Sequence, residues 1–376
     1  MAAIREISAT ETSAWKFTDR ANAEAYVASV CFKHGPPELI GIELEWTVHH
    51  LDDLRRELTT SQLADALGPY APITLSQHSP ANALPRGSLV TVEPGGQVEI
   101  SVPPQPSLAA LFANTAADAA TLHELLLEAR LVPGANGCDP HRRPHRLLHT
   151  PRYSAMAAAF EPFGVDGITM MCSTAGIQVC LDVGRPEQAS ARWAALHVLG
   201  PVLCAAYANS PRLGGLTTGW ASARQRTLFG TAPHRMRPGA IAADPAAMWA
   251  RRALDTPVIC VRREGGCWEP PTKMTFAQWI DGALDTRPTT EDMDYHLSTL
   301  FPPVRPRGYY EVRYLDTQPD DEWMAPAALL AAVMATDRTV DAVSEAAAPA
   351  AGRWLHAARH GLADPRLADA AHRVAE

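Results

Sequence analysis

The segment Thr91-Val92-Glu93-Pro94-Gly95-Gly96-Gln97-Val98-Glu99-Ile100-Ser101 constrains the fold of this chain more than any other. Pro94 holds φ near one value and Gly95-Gly96 accept positive φ, so the centre predicts a tight reversal between two strands. Such a hairpin can carry Glu93 and Glu99 to one surface. Its apolar residues need neighbours to bury them, and three further segments offer the same pattern. In Gly41-Ile42-Glu43-Leu44-Glu45-Trp46-Thr47-Val48, apolar Ile42, Leu44, Trp46 and Val48 alternate with Glu43, Glu45 and Thr47. Period-two alternation places both glutamates on one face. Gly176-Ile177-Gln178-Val179-Cys180-Leu181-Asp182 repeats it, and Tyr309-Tyr310-Glu311-Val312-Arg313-Tyr314-Leu315 puts Glu311 and Arg313 opposite Tyr310, Val312 and Tyr314. The expected architecture is a sheet with one apolar face and one rich in carboxylates.

Taken alone, each strand reads as the polar face of a solvated sheet. Converged, Glu43, Glu45, Glu93, Glu99 and Glu311 would need a cation. Hard divalent ions suit an all-oxygen site, Mg²⁺ above all, with Mn²⁺ also able to serve. Mg²⁺ takes only one or two protein carboxylates per ion, so five acids suggest two or three ions. Several such ions point in turn to a nucleoside triphosphate.

These segments, in this order, together with Ala208-Asn209-Ser210-Pro211, Asp294-Tyr295-His296-Leu297-Ser298-Thr299-Leu300-Phe301-Pro302 and Tyr310-Glu311-Val312-Arg313, resemble the glutamate–cysteine ligases. The likeness is to the plant-type branch and its actinobacterial relatives in ergothioneine or thiol biosynthesis, and it spans about residues 40–320. The resemblance implies an α+β, glutamine-synthetase-like fold: an antiparallel sheet curved into a funnel, with helices on its outer face. It implies ATP, L-glutamate and L-cysteine as small-molecule substrates and γ-glutamylcysteine, ADP and phosphate as products, by way of a γ-glutamyl phosphate. It assigns Glu43, Glu45, Glu93, Glu99, Gln178 and Glu311 to Mg²⁺. Arg313 falls to the transferring phosphate, and Arg224, with Arg226 and Arg235 as further candidates, to the substrate glutamate, since a guanidinium matches a carboxylate two bonds at a time. His296 could take a proton from the attacking amine and Lys273 could meet the nucleotide; a packed histidine and a surface lysine are the plainer readings. The chain departs from the plant pattern in two places. No basic residue lies within Met171-Cys172-Ser173-Thr174-Ala175, and Tyr314-Leu315-Asp316-Thr317-Gln318-Pro319 stands where that branch has a Gly-rich segment.

The net charge of −8 argues against a general nucleic-acid binder. Of 33 basic residues only Lys16, Lys33 and Lys273 are lysines, so an arginine here carries less information than usual. The run Trp193 to Ala208 includes His197 and Pro201 and reads as a buried helix rather than a membrane span. Arg5 and Glu6 lie where a signal peptide would be apolar, and seven cysteines without a CxxC pair suit a reduced, cytoplasmic protein. Cys138, His141, His145 and His149 have zinc-like spacing, but arginines intervene. There is no GxxxxGK[ST], GxGxxG or HExxH. The acidic strands span the chain, which favours one catalytic domain over 1–376 with Ala-rich helices over 325–376. A helix is expected over Asp52–Leu67, a hairpin over Thr256–Glu269 and irregular chain over 211–247. Three rival readings keep the same carboxylates: a ligase using another amine, a Mg²⁺-dependent phosphohydrolase, and a divalent-ion scaffold without nucleotide.

Overall fold

The computed structural model describes residues 14–376. Arg5 and Glu6 lie outside the described residues. Asp19 accepts from the backbone of Asn22 and starts the helix Arg20–Cys31.

Six strands form one antiparallel sheet: β1 (Ile40–Trp46), β2 (Leu89–Val92), β3 (Val98–Gln105), β4 (Gly176–Asp182), β5 (Val304–Pro306) and β6 (Tyr309–Asp316). Their order across the sheet is β2-β3-β1-β4-β6-β5. The Pro94-Gly95-Gly96 turn joins β2 to β3 as expected, with Val92 opposite Val98. Gly96 adopts φ 87°, and its N–H donates to the Glu93 carbonyl at 2.9 Å. The apolar faces of the strands turn to the helices. Pro186–Ala206 packs on β6, where Tyr310 donates to the Ala189 carbonyl at 2.9 Å; Leu108–Glu128 packs on β1 and β3. The fold is α+β. The helix Pro186–Ala206 is long and apolar enough to cross a membrane by composition alone, yet 72% of its apolar window is buried inside the protein. It is the core helix against which the sheet folds.

Several local expectations change. Only Thr60–Leu67 of the 52–67 stretch is helical, begun by a Thr59–Gln62 capping box. Pairing in 256–269 is limited to isolated contacts such as the Val261 N–H donating to the Trp268 carbonyl, with no regular ladder. The 211–247 stretch holds the helix Ala223–Gly230, whose cap is Ser222. Strand β5 was not anticipated, since Val304-Arg305-Pro306 is too short and Pro-rich to announce itself. All seven cysteines are free, including Cys260 and Cys267.

Gly95 sits against the helix Val165–Cys172, and a Cβ there would overlap the Cys172 carbonyl. Gly95→Ala is therefore expected to lower stability by about 2 kcal/mol, the usual cost of forcing an atom into a packed site. An unchanged denaturant midpoint would show that the hairpin tip yields.

Candidate active site

The sheet registers bring the predicted acids into one row. Glu45 lies directly opposite Glu99, and Glu43 lies between Ser101 on one side and Gln178 on the other. Glu93 enters from the hairpin. That hairpin is held by Gln97, which accepts from the Gly95 N–H at 2.9 Å and donates to the Thr174 carbonyl at 2.9 Å. Glu99 accepts from Thr91 at 2.8 Å and from the Gln178 amide at 3.0 Å; Glu45 accepts from the Gly176 N–H at 3.0 Å. Few of these contacts bring a positive charge. Burial, reinforced by the charges of Glu99 and Glu93, pushes Glu45 up to about 8. Burial, then the charges of Glu99 and Glu311, pushes Glu43 up to about 7. Glu93 is raised as well, by burial and by Glu99.

Beside this row the sign of the charge reverses. Arg305 grips Glu311 with two hydrogen bonds of 2.6 and 3.0 Å, Arg313 adds one of 2.9 Å, and Arg307 one of 3.3 Å. Burial would raise Glu311, but the charges of Arg305, Arg313 and Arg307 hold it well below the usual carboxylate range. Arg313 also donates to the Gln178 carbonyl oxygen and so ties the basic cluster to the acidic row.

Glu45, Glu93, Glu99 and Gln178 share a cleft of about 880 Å³ with Arg152, Arg224, Gln225, Arg305 and Arg313. Among the described residues, buried donors on this lining lack an acceptor: Arg224 Nε and Nη1, Gln225 Nε2 and Arg152 Nε. Buried donors without acceptors are costly, so their convergence marks a place for an anion. Arg224 is held firmly. Asp316 accepts from Ser210 at 2.7 Å, from Ser222 at 3.0 Å and from the Asn209 N–H at 2.9 Å; Ser210 Oγ receives the Arg224 N–H at 3.1 Å. The guanidinium itself donates to the Arg313 carbonyl at 3.0 Å and stands 3.8 Å from Asp316.

Comparison with known proteins identifies the family. Residues 39–376 match the model of glutamate-cysteine ligase family 2. The chain belongs to that family. It is 39% identical over 373 residues to glutamate–cysteine ligase EgtA of Mycobacterium tuberculosis, covering 95% of this chain and 82% of that protein. It is 38% identical over 367 residues to EgtA of Mycolicibacterium smegmatis, covering 95% and 83%. Among solved structures, a glutamate–cysteine ligase from Francisella tularensis in complex with AMP shares 12% identity over 89% of this chain and 74% of that one. The TM-score of that pair is 0.46.

Within this ligase the predicted residues do not all converge. Glu43 adjoins the row, and Glu45, Glu93, Glu99, Gln178, Arg224 and Arg313 line the cleft. Glu311, expected as a metal ligand, has both oxygens engaged by arginines and serves here to order them. His296, expected as a base, is 2% exposed and turned away, with Nε2 at 2.9 Å from the Ala253 carbonyl and its ring on Phe276. Burial, then the Arg235 charge, drops it to about 3. Arg226 pairs with Asp166 instead of entering the cleft. Arg235 bonds Thr299 and the Pro257 carbonyl on another cavity, and Lys273 is exposed on the rim of that cavity. Among the described residues, no Cys138–His149 zinc cluster forms; His141 packs edge-on against His49.

Sequence reading missed Arg152, Gln225 and Arg305. Arg152 and Arg305 were indistinguishable from the thirty-one other basic residues, and only the strand pairing of Glu311 with Arg305 singles the latter out.

Because Glu43 and Glu45 keep their protons above the range of an unfolded chain, they favour the folded state up to about pH 8, while below about pH 6.5 the buried, neutral His49, His197 and His296 act in the opposite direction. Stability of the metal-free protein is expected to fall as pH rises from about 6.5 to about 8. Melting curves at intervals across that upper range check the sign. A rise across the window would mean these carboxylates are already neutralised.

Proposed function

We propose that the chain joins the γ-carboxylate of L-glutamate to the amine of L-cysteine at the expense of ATP, as a single cytoplasmic catalytic unit over the whole chain. The observation that carries this reading is the set of buried, acceptor-less donors of Arg224 and Gln225 facing Glu45, Glu93 and Glu99 across one cleft. An amino acid bears both charges and fits between them. Arg224 and Gln225 take the α-carboxylate and leave the γ-carboxylate directed at the arginines around Glu311. A γ-carboxylate oxygen attacks the γ-phosphorus of ATP, the bond to the bridging oxygen breaks, and ADP departs. The cysteine nitrogen then attacks the acyl carbon, phosphate leaves with the carbon–oxygen electron pair, and the amine proton is lost to solvent. Arg313, supported by Arg305, faces the phosphoryl oxygens and stabilises their charge in place, with no reorganisation needed.

The donor set suits divalent cations in kind, although among the described residues no group of three or more acids, histidines or cysteines forms a ready-made metal site. Buried carboxylates in register repel one another, all candidate donors are oxygens, and water can complete an octahedron. Glu45, Glu93 and Glu99, with Glu43 and Gln178, would hold two or three Mg²⁺ ions, with Mn²⁺ as a substitute. When bound, these ions supply charge neutralisation for the triphosphate.

Mass spectrometry of the product from protein, ATP, Mg²⁺, glutamate and a panel of amines tests the reading. γ-Glutamylcysteine with matching ADP is expected, and chelation of Mg²⁺ with EDTA should stop both. A different adduct would move the acceptor, and ADP without adduct would favour hydrolysis.

A further inference from the structure

A second cavity lies behind the wall of the cleft. It is an opening of about 480 Å³ between the helix Pro151–Phe160, the short turn Pro233–Met236 and the segments 257–259 and 269–273. Its wall is apolar, formed by Ala155, Ala158, Ala159, Phe163 and Ile259 among others, yet Arg235 contributes to it while being only 2% exposed. Every hydrogen bond of that guanidinium goes to a neutral acceptor: Thr299 Oγ1 and the Thr299 carbonyl, both at 2.8 Å, and the Pro257 carbonyl. Among the described residues no carboxylate pairs with it. A buried cation without a counter-charge is an expensive arrangement, and an anion in the cavity removes the cost. Lys273, on the rim, adds a second positive charge against the single acid Glu269. Among the described residues, two of the five non-glycine residues with positive φ, Ala232 at 39° and Lys273 at 62°, border the same cavity. Strain of this kind persists where the surrounding structure demands it.

We infer that this cavity binds a small carboxylic acid with an apolar body, its carboxylate on Arg235 and its chain along the alanine face of Pro151–Phe160. The size falls in the range of small-molecule sites, and apolar walls with one convergent charge are their usual construction. The site is separate from the cleft yet shares its wall. Ala155 faces the cavity and Met156 the cleft; Arg235 faces the cavity and Met236 the cleft. Occupancy is therefore felt by residues that line the catalytic side. This inference does not rest on which amine the ligase uses.

Isothermal titration of the full chain with hexanoate and, separately, with 1-hexanol tests it. Hexanoate should bind saturably and about tenfold or more tightly than the alcohol, the margin of one charge-assisted contact. It should also shift the methyl resonances of Met156 and Met236. Ala158→Trp, which fills the cavity from an alanine that is not in the cleft, should abolish hexanoate binding while ATP still binds. In Arg235→Gln, if it folds, acid and alcohol should bind alike. Saturating ATP with glutamate should leave hexanoate affinity unchanged. Displacement by either would assign the cavity to the catalytic cleft and overturn the inference, as would absence of saturable binding or its survival in Ala158→Trp.

Discussion

Glu45→Gln eliminates turnover, by roughly a thousandfold or more, while leaving the protein folded and, without metal, more stable than the parent. The two effects have one cause. Glu45 faces Glu99 across the β1–β3 pair; Glu99 is removed from water and Glu45 is half-buried beside it. An amide of the same shape keeps the acceptor for the Gly176 N–H and takes away a charge that the folded chain alone does not neutralise. On the proposed reading that charge holds the cation, and loss of one preorganised electrostatic element in a buried site typically costs roughly two to three orders of magnitude in rate. Glu93→Gln should behave alike. Steady-state ADP release and thermal melting in EDTA decide the matter. Parental rates in either variant would remove that residue from the metal site, and a destabilised apo-protein would show that the row is not self-repelling.

Arg224→Gln raises KM for glutamate by about a hundredfold, the cost of removing one partner from a buried charged pair. KM for ATP should move far less, because the arginines around Glu311 are untouched. Asp316→Asn tests the scaffold behind this residue. Asp316 receives two hydroxyls and a backbone N–H, and an asparagine must turn an NH₂ toward at least one of those donors. A rise of about tenfold in KM for glutamate, with the ATP term again unchanged, would mark Asp316 as a positioning residue. Equal losses for both substrates would instead indicate a general loss of packing. Fluorescence melts on each variant separate the cases.

The acidic row was legible because its determinants are local. Alternation in Ile42–Val48, Ile177–Leu181 and Tyr309–Tyr314, and the Pro94-Gly95-Gly96 turn, each specify a face without reference to the rest of the chain. The anion side was not, because it is assembled across the chain. Arg152, Gln225 and Arg305 come from separate segments, and a guanidinium in an arginine-rich sequence carries no signal until burial and missing partners distinguish it. His296 and Arg235 misled for the converse reason. They lie within or near family-like stretches, but helix packing turns their side chains to other neighbours. Asp316 shows a third kind of failure. Strict alternation from Tyr310, Val312 and Tyr314 would send it into the core. Instead Val312 pairs with Val179 and Leu315 with Ile177, so β6 carries one extra residue, and Asp316, opposite Gly176, emerges on the polar side beneath Arg224.

The division of the cleft into a carboxylate row and an arginine wall gives it a direction. Three glutamates face four arginines across one opening. Between low-dielectric walls such a separation sets up a field along a fixed line, strongest where water is excluded and at a pH high enough for Glu45, held up to about 8, to be ionised. A free amino acid, positive at one end and negative at the other, is turned by that field before it touches any side chain. A molecule of the same size with a single charge is drawn to one wall and arrives misaligned. The cleft thus acts as a compass as well as a container, and added salt should blunt its capture of amino acids before it weakens the contacts made afterwards.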